Sequence, residues 1–372
     1  MRLIRTIKIL LPVSPDIVLP TIRAYTDAFN HVCETGWTDL DVNGVSLHNK
    51  TYVYCRQTLP AQLAISARMK ATEALKAATT KMKQGESVSC PTSKQCSIRY
   101  DIRSYTLKLN ELYVSLLFLD GRHKFNFQVP KFFHKYLGWK QSSADVFVRD
   151  NQVFLHVVMQ TEIQEIPTSG VTVGIDRGIK NIAVLSNNTF FDGKHLNKVR
   201  TRYATLRSKL QEKCTRSARR HLNALGRKEK RFVAAVMHTV SKKIVSLFSA
   251  GTTFVLEKLS GIRSRCKMRK PQRTQLHKWP FYQFQMFLTY KAIGAGMSVE
   301  YIDPAYTSQT CSKCGYCCKA NRRSQSSFLC KECGFELHAD LNASRNIRNK
   351  SVGYMSTGRA EPVTQPIVQA TK

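Results

Sequence analysis

The chain has 372 residues, with 58 Lys or Arg against 25 Asp or Glu and a formal charge of +33. Self-repulsion on that scale is relieved by a polyanion, so nucleic acid is the expected partner, through phosphate contacts and counterion release. Hydrophobic residues make up 42%, enough to fold two or three domains, while no apolar run approaches the ~18 residues of a membrane span and no lipid anchor or basic amphipathic helix points to a membrane surface.

In chain order, MRLIRTIKILLPV reads as a strand rather than a signal peptide, because Arg5 and Lys8 interrupt its apolar run. SPDIVLPTIRAYTDAFNHVC reads as a helix that starts at Ser14 and Pro15, with Ile22, Tyr25, Phe29 and Val32 on one face. Residues 36 to 58 read as loop. LPAQLAISARMKATEALKAATTKMK, residues 59 to 83, is rich in Ala and straight-chain helix formers. From 97 to about 165 the period changes to two: SIRYDIRSYTLKL, LYVSLLFL, KFNFQV, ADVFVRD and QVFLHVVMQTEI are strand-length runs parted by turns such as Asp120-Gly121 and Asp150-Asn151. They predict a small antiparallel β-domain to which the first strand is added.

After Pro167, VTVGID and IAVLS form two short β-runs, the first ending in Asp176. Residues 198 to 231 then hold thirteen Lys or Arg against Glu212 and Glu229, a net of +11. A long run of charge is usually a solvated face; because this one borders two apolar elements, a helical pair that lines nucleic acid is at least as good a reading. KEKRFVAAVMHTVSKKIVSLFSAG continues as an amphipathic helix, with Phe232, Val236, Val240, Ile244 and Phe248 in register. TTFVLEKLSG is a second apolar strand, ending in Glu257. Residues 263 to 278 carry seven basic and no acidic residues and read as an exposed loop. WPFYQFQMFLTYKAIGAG reads as a helix and VEYID as a strand. The end, from Lys350 to Lys372, shows no period and reads as a disordered tail dispensable for activity.

Twelve cysteines are too unevenly spread for a disulfide-stapled secreted domain, since six lie between Cys311 and Cys333. A reducing cytosol with one metal site is the simpler expectation. CSKC, fifteen residues and CKEC give C-x2-C-x15-C-x2-C, the spacing of a closed structural zinc site. Each pair is followed by glycine, Gly315 or Gly334, which permits the positive φ of a knuckle. That selects Cys311, Cys314, Cys330 and Cys333 over Cys317 and Cys318, with His338 nearby as an alternative ligand.

Three carboxylates stand out. Asp176 and Glu257 end apolar strands, and Asp340 lies in HADLNASRNI, where Ala343 and Ile347 share its helical face. A charge at the end of a core strand needs a partner or a metal. Taken singly, each carboxylate has an ordinary alternative: a buried ion pair, a helix cap or a solvated strand end. Together they suit two divalent cations about 3.5–4 Å apart for in-line phosphodiester hydrolysis. Oxygen ligands favour Mg²⁺ or Mn²⁺. Asn342 and Arg345, on the same helix, are candidates to orient the carboxylate or meet a phosphate, with a structural role as the alternative.

GIDRGIKNIAVLS, FVLEKLSGI, DPAYTSQTCSKCG and CGFELHADLNASRNI resemble the split RuvC-type nuclease motifs and inserted zinc ribbon of TnpB proteins, transposon-encoded RNA-guided endonucleases. LPAQLA and SIRYDIRSYTLKL resemble that family's helical recognition lobe and β-wedge. The resemblance implies a multidomain α+β fold: a β-wedge, barrel-like domain (residues 1–12 and 95–166), a helical recognition lobe (13–94), an RNase H-like RuvC nuclease domain (167–310 and 334–349), a zinc ribbon inserted at 311–333 and a disordered tail (350–372). It implies Asp176, Glu257 and Asp340 as the metal-binding catalytic trio, with two Mg²⁺ or Mn²⁺ ions, one structural Zn²⁺ and a guide RNA from the transposon end. The expected activity is cleavage of double-stranded target DNA beside a short motif, in a cytoplasmic, nucleoid-associated setting. Arg202, Arg207, Arg216, Arg219, Arg220, Arg227, Arg263, Arg265, Lys267, Arg269 and Arg345 are the candidate nucleic-acid contacts. Arg177 departs from the pattern, since many relatives carry an apolar residue there. It is expected to point away from Asp176 along the strand.

The alternatives are a nuclease-silent RNA-guided repressor, a protein-only RNase H-like nuclease or resolvase, and a zinc-ribbon DNA-binding module. All three acidic residues are present, against the first. The basic N-terminal half and the inserted ribbon argue against the second. The third leaves some 300 residues unexplained.

Overall fold

The computed structural model describes residues 2–163, 170–259 and 279–353. The chain divides into two compact units, Met1–Ile163 and Gln164–Lys372.

In the first unit, strand β1 (Arg2–Leu11) alternates exposed and buried side chains, so one face of it can enter a core. Helix α1 (Pro15–Thr38) starts where the sequence indicates, Ser14 Oγ accepting the amide of Asp16. Helices α2 (Gly44–Thr58) and α3 (Ala61–Lys83) follow. The α2 segment corrects the loop expected over residues 36–58. Asn43 caps the helix, its Oδ1 accepting the amides of Val45 at 2.8 Å and Ser46 at 3.3 Å. Only Leu47, Thr51 and Cys55, four apart, are buried along it, a stripe too narrow and too polar to register as hydrophobic periodicity.

Strands β2 (Ile98–Tyr100), β3 (Tyr105–Lys108), β4 (Tyr113–Phe118), β5 (Gly121–Asn126), β6 (Lys140–Arg149) and β7 (Gln152–Glu162) make two antiparallel sheets, ordered β1-β7-β6-β2 and β3-β4-β5. β1 pairs with β7 from Arg2↔Glu162 to Leu11↔Val153. Ile7 and Ile9 of β1, Tyr25 of α1, Leu63 of α3 and Leu155 of β7 belong to one buried cluster. Within it the Tyr25 and Ser66 hydroxyls meet at 2.8 Å, and Ser66 Oγ donates to the Arg99 carbonyl at 2.6 Å, joining helix to helix and helix to sheet.

The second unit holds strands β8 (Thr172–Asp176), β9 (Asn181–Leu185) and β10 (Phe190–Asp192), then helices α4 (Lys194–Glu212) and α5 (Arg216–Ser246). Strand β11 (Thr253–Glu257), helix α6 (Phe281–Gly294) and strand β12 (Ser298–Ile302) follow. A two-stranded hairpin, β13 (Ser327–Leu329) and β14 (Glu336–His338), leads into helix α7 (Ala339–Ser351). The main sheet is ordered β10-β9-β8-β11-β12: β8, β9 and β10 are antiparallel neighbours, while β11 runs parallel to both β8 and β12. The central strands read as unbroken apolar runs because they are buried on both faces. Helix α5 buries Val233, Met237, Val240 and Ile244, at spacings of four, three and four.

The hairpin of the cysteine region runs on to His338, beyond residue 333. Lys350 and Ser351 belong to α7 and so correct the start expected for the disordered tail. Lys350 Nζ donates to the main-chain oxygens of Asp303 and Ala305, and Ser351 Oγ to Glu300 Oε2 at 2.6 Å, which holds the last helical turn on the unit. The rest of the tail from residue 354, and the basic loop with Arg263, Arg265, Lys267 and Arg269, lie outside the described residues.

Helix α7 lies directly on β8. A Cβ on Gly174 would collide with the Ser344 carbonyl and come within 2.6 Å of the Arg348 amide, both backbone atoms that cannot swing aside. Gly174→Ala is therefore expected to cost about 1–3 kcal/mol, the usual range for overpacking. The denaturation midpoint of the second unit reads this cost. An unchanged midpoint would contradict the close approach.

Candidate active site and metal centre

Asp176 and Glu257 occupy the C-terminal ends of neighbouring parallel strands. The β8–β11 ladder runs from Thr172↔Thr253 to Ile175↔Leu256 and stops one position short of them. Asp340 comes from the first turn of α7, whose N-terminus is capped by His338, Nδ1 accepting the Asp340 amide at 3.2 Å. The sheet and the helix laid on it thus bring the three carboxylates within electrostatic reach of one another.

Asp340 is 8% exposed. Its Oδ2 accepts from Asn181 Nδ2 at 2.9 Å, and Arg322 Nη2 approaches Oδ1 at 3.4 Å. Glu257 Oε1 accepts from the Thr307 hydroxyl at 2.5 Å. Burial holds its carboxyl above the ordinary range, against the opposing pull of that hydrogen bond and of Arg177, Lys350 and Arg322. Burial first, then the charges of Glu257 and Asp340, push Asp176 up to about 8. Burial beside like charges is a setting that a bound cation would relieve. The hard oxygen donors match a divalent ion of the magnesium or manganese kind. The carboxylates are not drawn tight, however. Among the described residues, the only group of three or more His, Cys, Asp or Glu with ligand atoms within 4.8 Å of one another is the cysteine cluster.

That cluster is Cys311, Cys314, Cys330 and Cys333. Sulfur separations are 3.8 Å for Cys311–Cys333 and 3.6 Å for Cys314–Cys330. Metal–sulfur bonds of about 2.3 Å in a tetrahedron put the sulfurs about 3.8 Å apart, so the four thiols fit a closed metal site. The two halves repeat one backbone design. Cys311 N donates to Tyr316 O and Cys330 N to Phe335 O, both at 2.9 Å, while Gly315 and Gly334 take φ of 80° and 67°. Cys317 and Cys318 stand outside the cluster. His338 is engaged as the α7 cap, with its ring edge-on to Phe190, and is not among the grouped ligands.

Asn342 has a structural part. Its Nδ2 donates to Thr310 O at 2.8 Å and its Oδ1 accepts the Ser312 amide at 2.9 Å, docking the first knuckle on α7. One turn on, Asn346 Nδ2 donates to Thr307 O and Thr310 O, which fixes the residue that binds Glu257. Arg345 is half-buried, its guanidinium held below the usual range by burial and by Arg348.

On α4 and α5, Arg202, Arg216, Arg219, Arg220 and Arg227 are exposed, and Arg207 pairs with Glu229. Arg177 is directed to the α6 side of the sheet, whereas Gly174, on the face of Asp176, meets α7. It is buried beside Glu257, donating to that residue's main-chain oxygen and, at 3.1 Å, to Gln285 Oε1.

Asn181, Thr307, Arg322 and Asn346 escaped the sequence reading, because each acts across 18 to 159 residues of chain. The one local signal was the i, i+4 pair Asn342 and Asn346 on an otherwise inward face.

Asp176 gives the cation-free protein a pH signature. The unfolded carboxyl releases its proton near 3.8, whereas the folded one holds it to about 8, so its contribution to stability is full at low pH and is lost as pH rises between those values. Denaturation midpoints in magnesium- and manganese-free buffer should fall across this window more steeply for wild type than for Asp176→Asn. Parallel profiles would refute the shift.

Two family models match the chain: "Probable transposase" over residues 155–259 and "Cas12f1-like, TNB domain" over residues 281–347. TnpB-like protein MJ0751 of Methanocaldococcus jannaschii is 30% identical over 168 residues, 44% of this chain and 60% of that protein. The putative RNA-guided DNA endonuclease InsQ of Escherichia coli K12 is 27% identical over 238 residues, 58% of each chain. The cryo-EM structure of a Cas12f1-sgRNA-target DNA complex shares the mixed α+β multidomain fold, with a TM-score of 0.66 and 16% identity over 90% of this chain and 82% of that one. The chain spans less than two thirds of the length of these curated relatives. No helix among the described residues is long and apolar enough to cross a membrane. Over residues 155–259 and 281–347 the chain is similar to the families that these two models describe.

Proposed function

We propose that this protein is an RNA-guided DNA endonuclease of a transposable element, cutting double-stranded DNA beside a short motif. The observation that carries the proposal is the convergence of Asp176, Glu257 and Asp340 from β8, β11 and α7, with Asp176 pushed up to about 8 by burial and then by its acidic neighbours. The strand order supports an RNase H-like, RuvC-type core: three antiparallel strands, with two parallel strands joined at the first. In this account residues 1–12 and 95–166 form the β-wedge, 13–94 the recognition lobe, and 167–310 with 334–349 the nuclease domain. Residues 311–333 are its zinc ribbon, with Zn²⁺ on the four thiolates in a structural role.

Magnesium or manganese ions bound by the trio would supply an activated water and charge stabilisation for the departing oxygen. The chain's own residues set the stage for that chemistry. Thr307 fixes one oxygen of Glu257, Asn181 and Arg322 fix the two oxygens of Asp340, and the strand ends present Asp176 beside Glu257. The exposed arginines of α4 and α5 supply phosphate contacts along a backbone. Base pairing to a guide RNA reads the target sequence, leaving the protein to read the adjacent motif and backbone shape. The relatives named for RNA-guided cleavage, and the fold shared with a complex containing guide RNA and target DNA, support this division.

The test has two linked parts. Sequencing the RNA that copurifies with the chain, expressed with its own flanking DNA, should return one abundant species ending in flanking sequence. With that RNA as guide, Asp176→Ala, Glu257→Ala and Asp340→Ala should each cut at least ~10³-fold more slowly and bind DNA nearly as wild type does. Absence of a defined RNA would favour a protein-only nuclease, and an active Glu257→Ala protein would remove Glu257 from the trio.

A further inference from the structure

Arg177 stands where burial and charge are hardest to reconcile. It is 5% exposed, its Nε has no hydrogen-bond partner, and none of the ion pairs among the described residues, drawn at 4.0 Å, includes it. Its fork spans three elements, donating from β8 to the Glu257 main-chain oxygen on β11 and to Gln285 on α6. If support of the strands were its whole role, an apolar side chain of similar size would hold them without burying a cation. The anions that act on it are Glu257 and Asp176. Their strand ends are the ones it clasps.

Besides Lys350, whose ammonium is held by the main-chain oxygens of Asp303 and Ala305, the acidic centre has two positive neighbours of different kinds. Arg322 comes from the cysteine hairpin, has a side chain 31% exposed, and meets Asp340 directly. It has room to leave. Arg177 is walled in, and a guanidinium does not discharge.

We propose that Arg177 is a positioning residue and fixed internal counter-charge of the acidic centre, holding the ends of β8 and β11 together and weakening the grip of Asp176 and Glu257 on divalent cations. The inference rests on the metal-dependent nuclease reading. A buried positive charge so placed repels each arriving cation and keeps its binding reversible. It also relieves the repulsion between the carboxylates when no metal is bound.

Calorimetric titration of Mn²⁺ into the full chain, with the cysteine site already loaded with zinc, tests this apart from cleavage. Arg177→Met should bind Mn²⁺ about tenfold more tightly than wild type, and Arg177→Lys should stay within about threefold of it. Gln285→Glu places a carboxylate against the guanidinium, cancels its charge without enlarging any side chain, and carries the same expectation as Arg177→Met should that variant fail to fold. Asp340→Ala serves as the control that loses the binding. Wild-type affinity in folded Arg177→Met or Gln285→Glu overturns the counter-charge role while leaving the nuclease reading intact. Wild-type Mn²⁺ binding that survives Asp340→Ala overturns both.

Discussion

Everything in the second unit turns on the cost of crowding negative charge at the end of a buried sheet. Two parallel strands finish in carboxylates side by side, and a helix laid across the sheet delivers a third. In a medium far less polarisable than water, three such groups cannot all stay ionised without help. The help is visible on every side: Thr307 on Glu257, Asn181 and Arg322 on Asp340, and the guanidinium of Arg177 beneath. None of these neutralises Asp176, which responds by holding its proton to about 8.

The cysteine hairpin and the acidic centre are mechanically joined. Asn342 and Asn346 tie the loop from Thr307 to Ser312 down onto α7, so one short segment carries both the hydroxyl that binds Glu257 and the first knuckle. Arg322, between the two knuckles, reaches Asp340. Folding of the thiolate site therefore fixes the surroundings of two of the three carboxylates, and Gly174 sets how closely the helix that carries the third can approach the sheet. The cysteine cluster, though separate from the three carboxylates, is tied to their surroundings through this segment.

Much of this was legible in the sequence, and the limits have physical causes. The knuckles announced themselves because their ligands and glycines sit at fixed short spacings. The start of α1 at Ser14 and the strand ends at Asp176 and Glu257 are local features, readable from capping chemistry and from an apolar run that closes in a charge. Helix α2 went unseen because its buried stripe is only Leu47, Thr51 and Cys55. What strand alternation could not give is the partners of the Arg177 side chain, the Glu257 main-chain oxygen and Gln285, which lie 80 and 108 residues away. Lys350 looked like the start of a featureless tail, yet its ammonium closes the last turn of α7 against residues 303 and 305. The partners of the carboxylates were invisible for the same reason: they are brought in by the fold, across long stretches of chain.

The most direct measurement is anomalous diffraction at the manganese edge from crystals of the protein soaked in Mn²⁺. The account predicts two peaks about 3.5–4 Å apart, bounded by Asp176, Glu257 and Asp340. Crystals that take up manganese elsewhere and show no peak among these three carboxylates would contradict it.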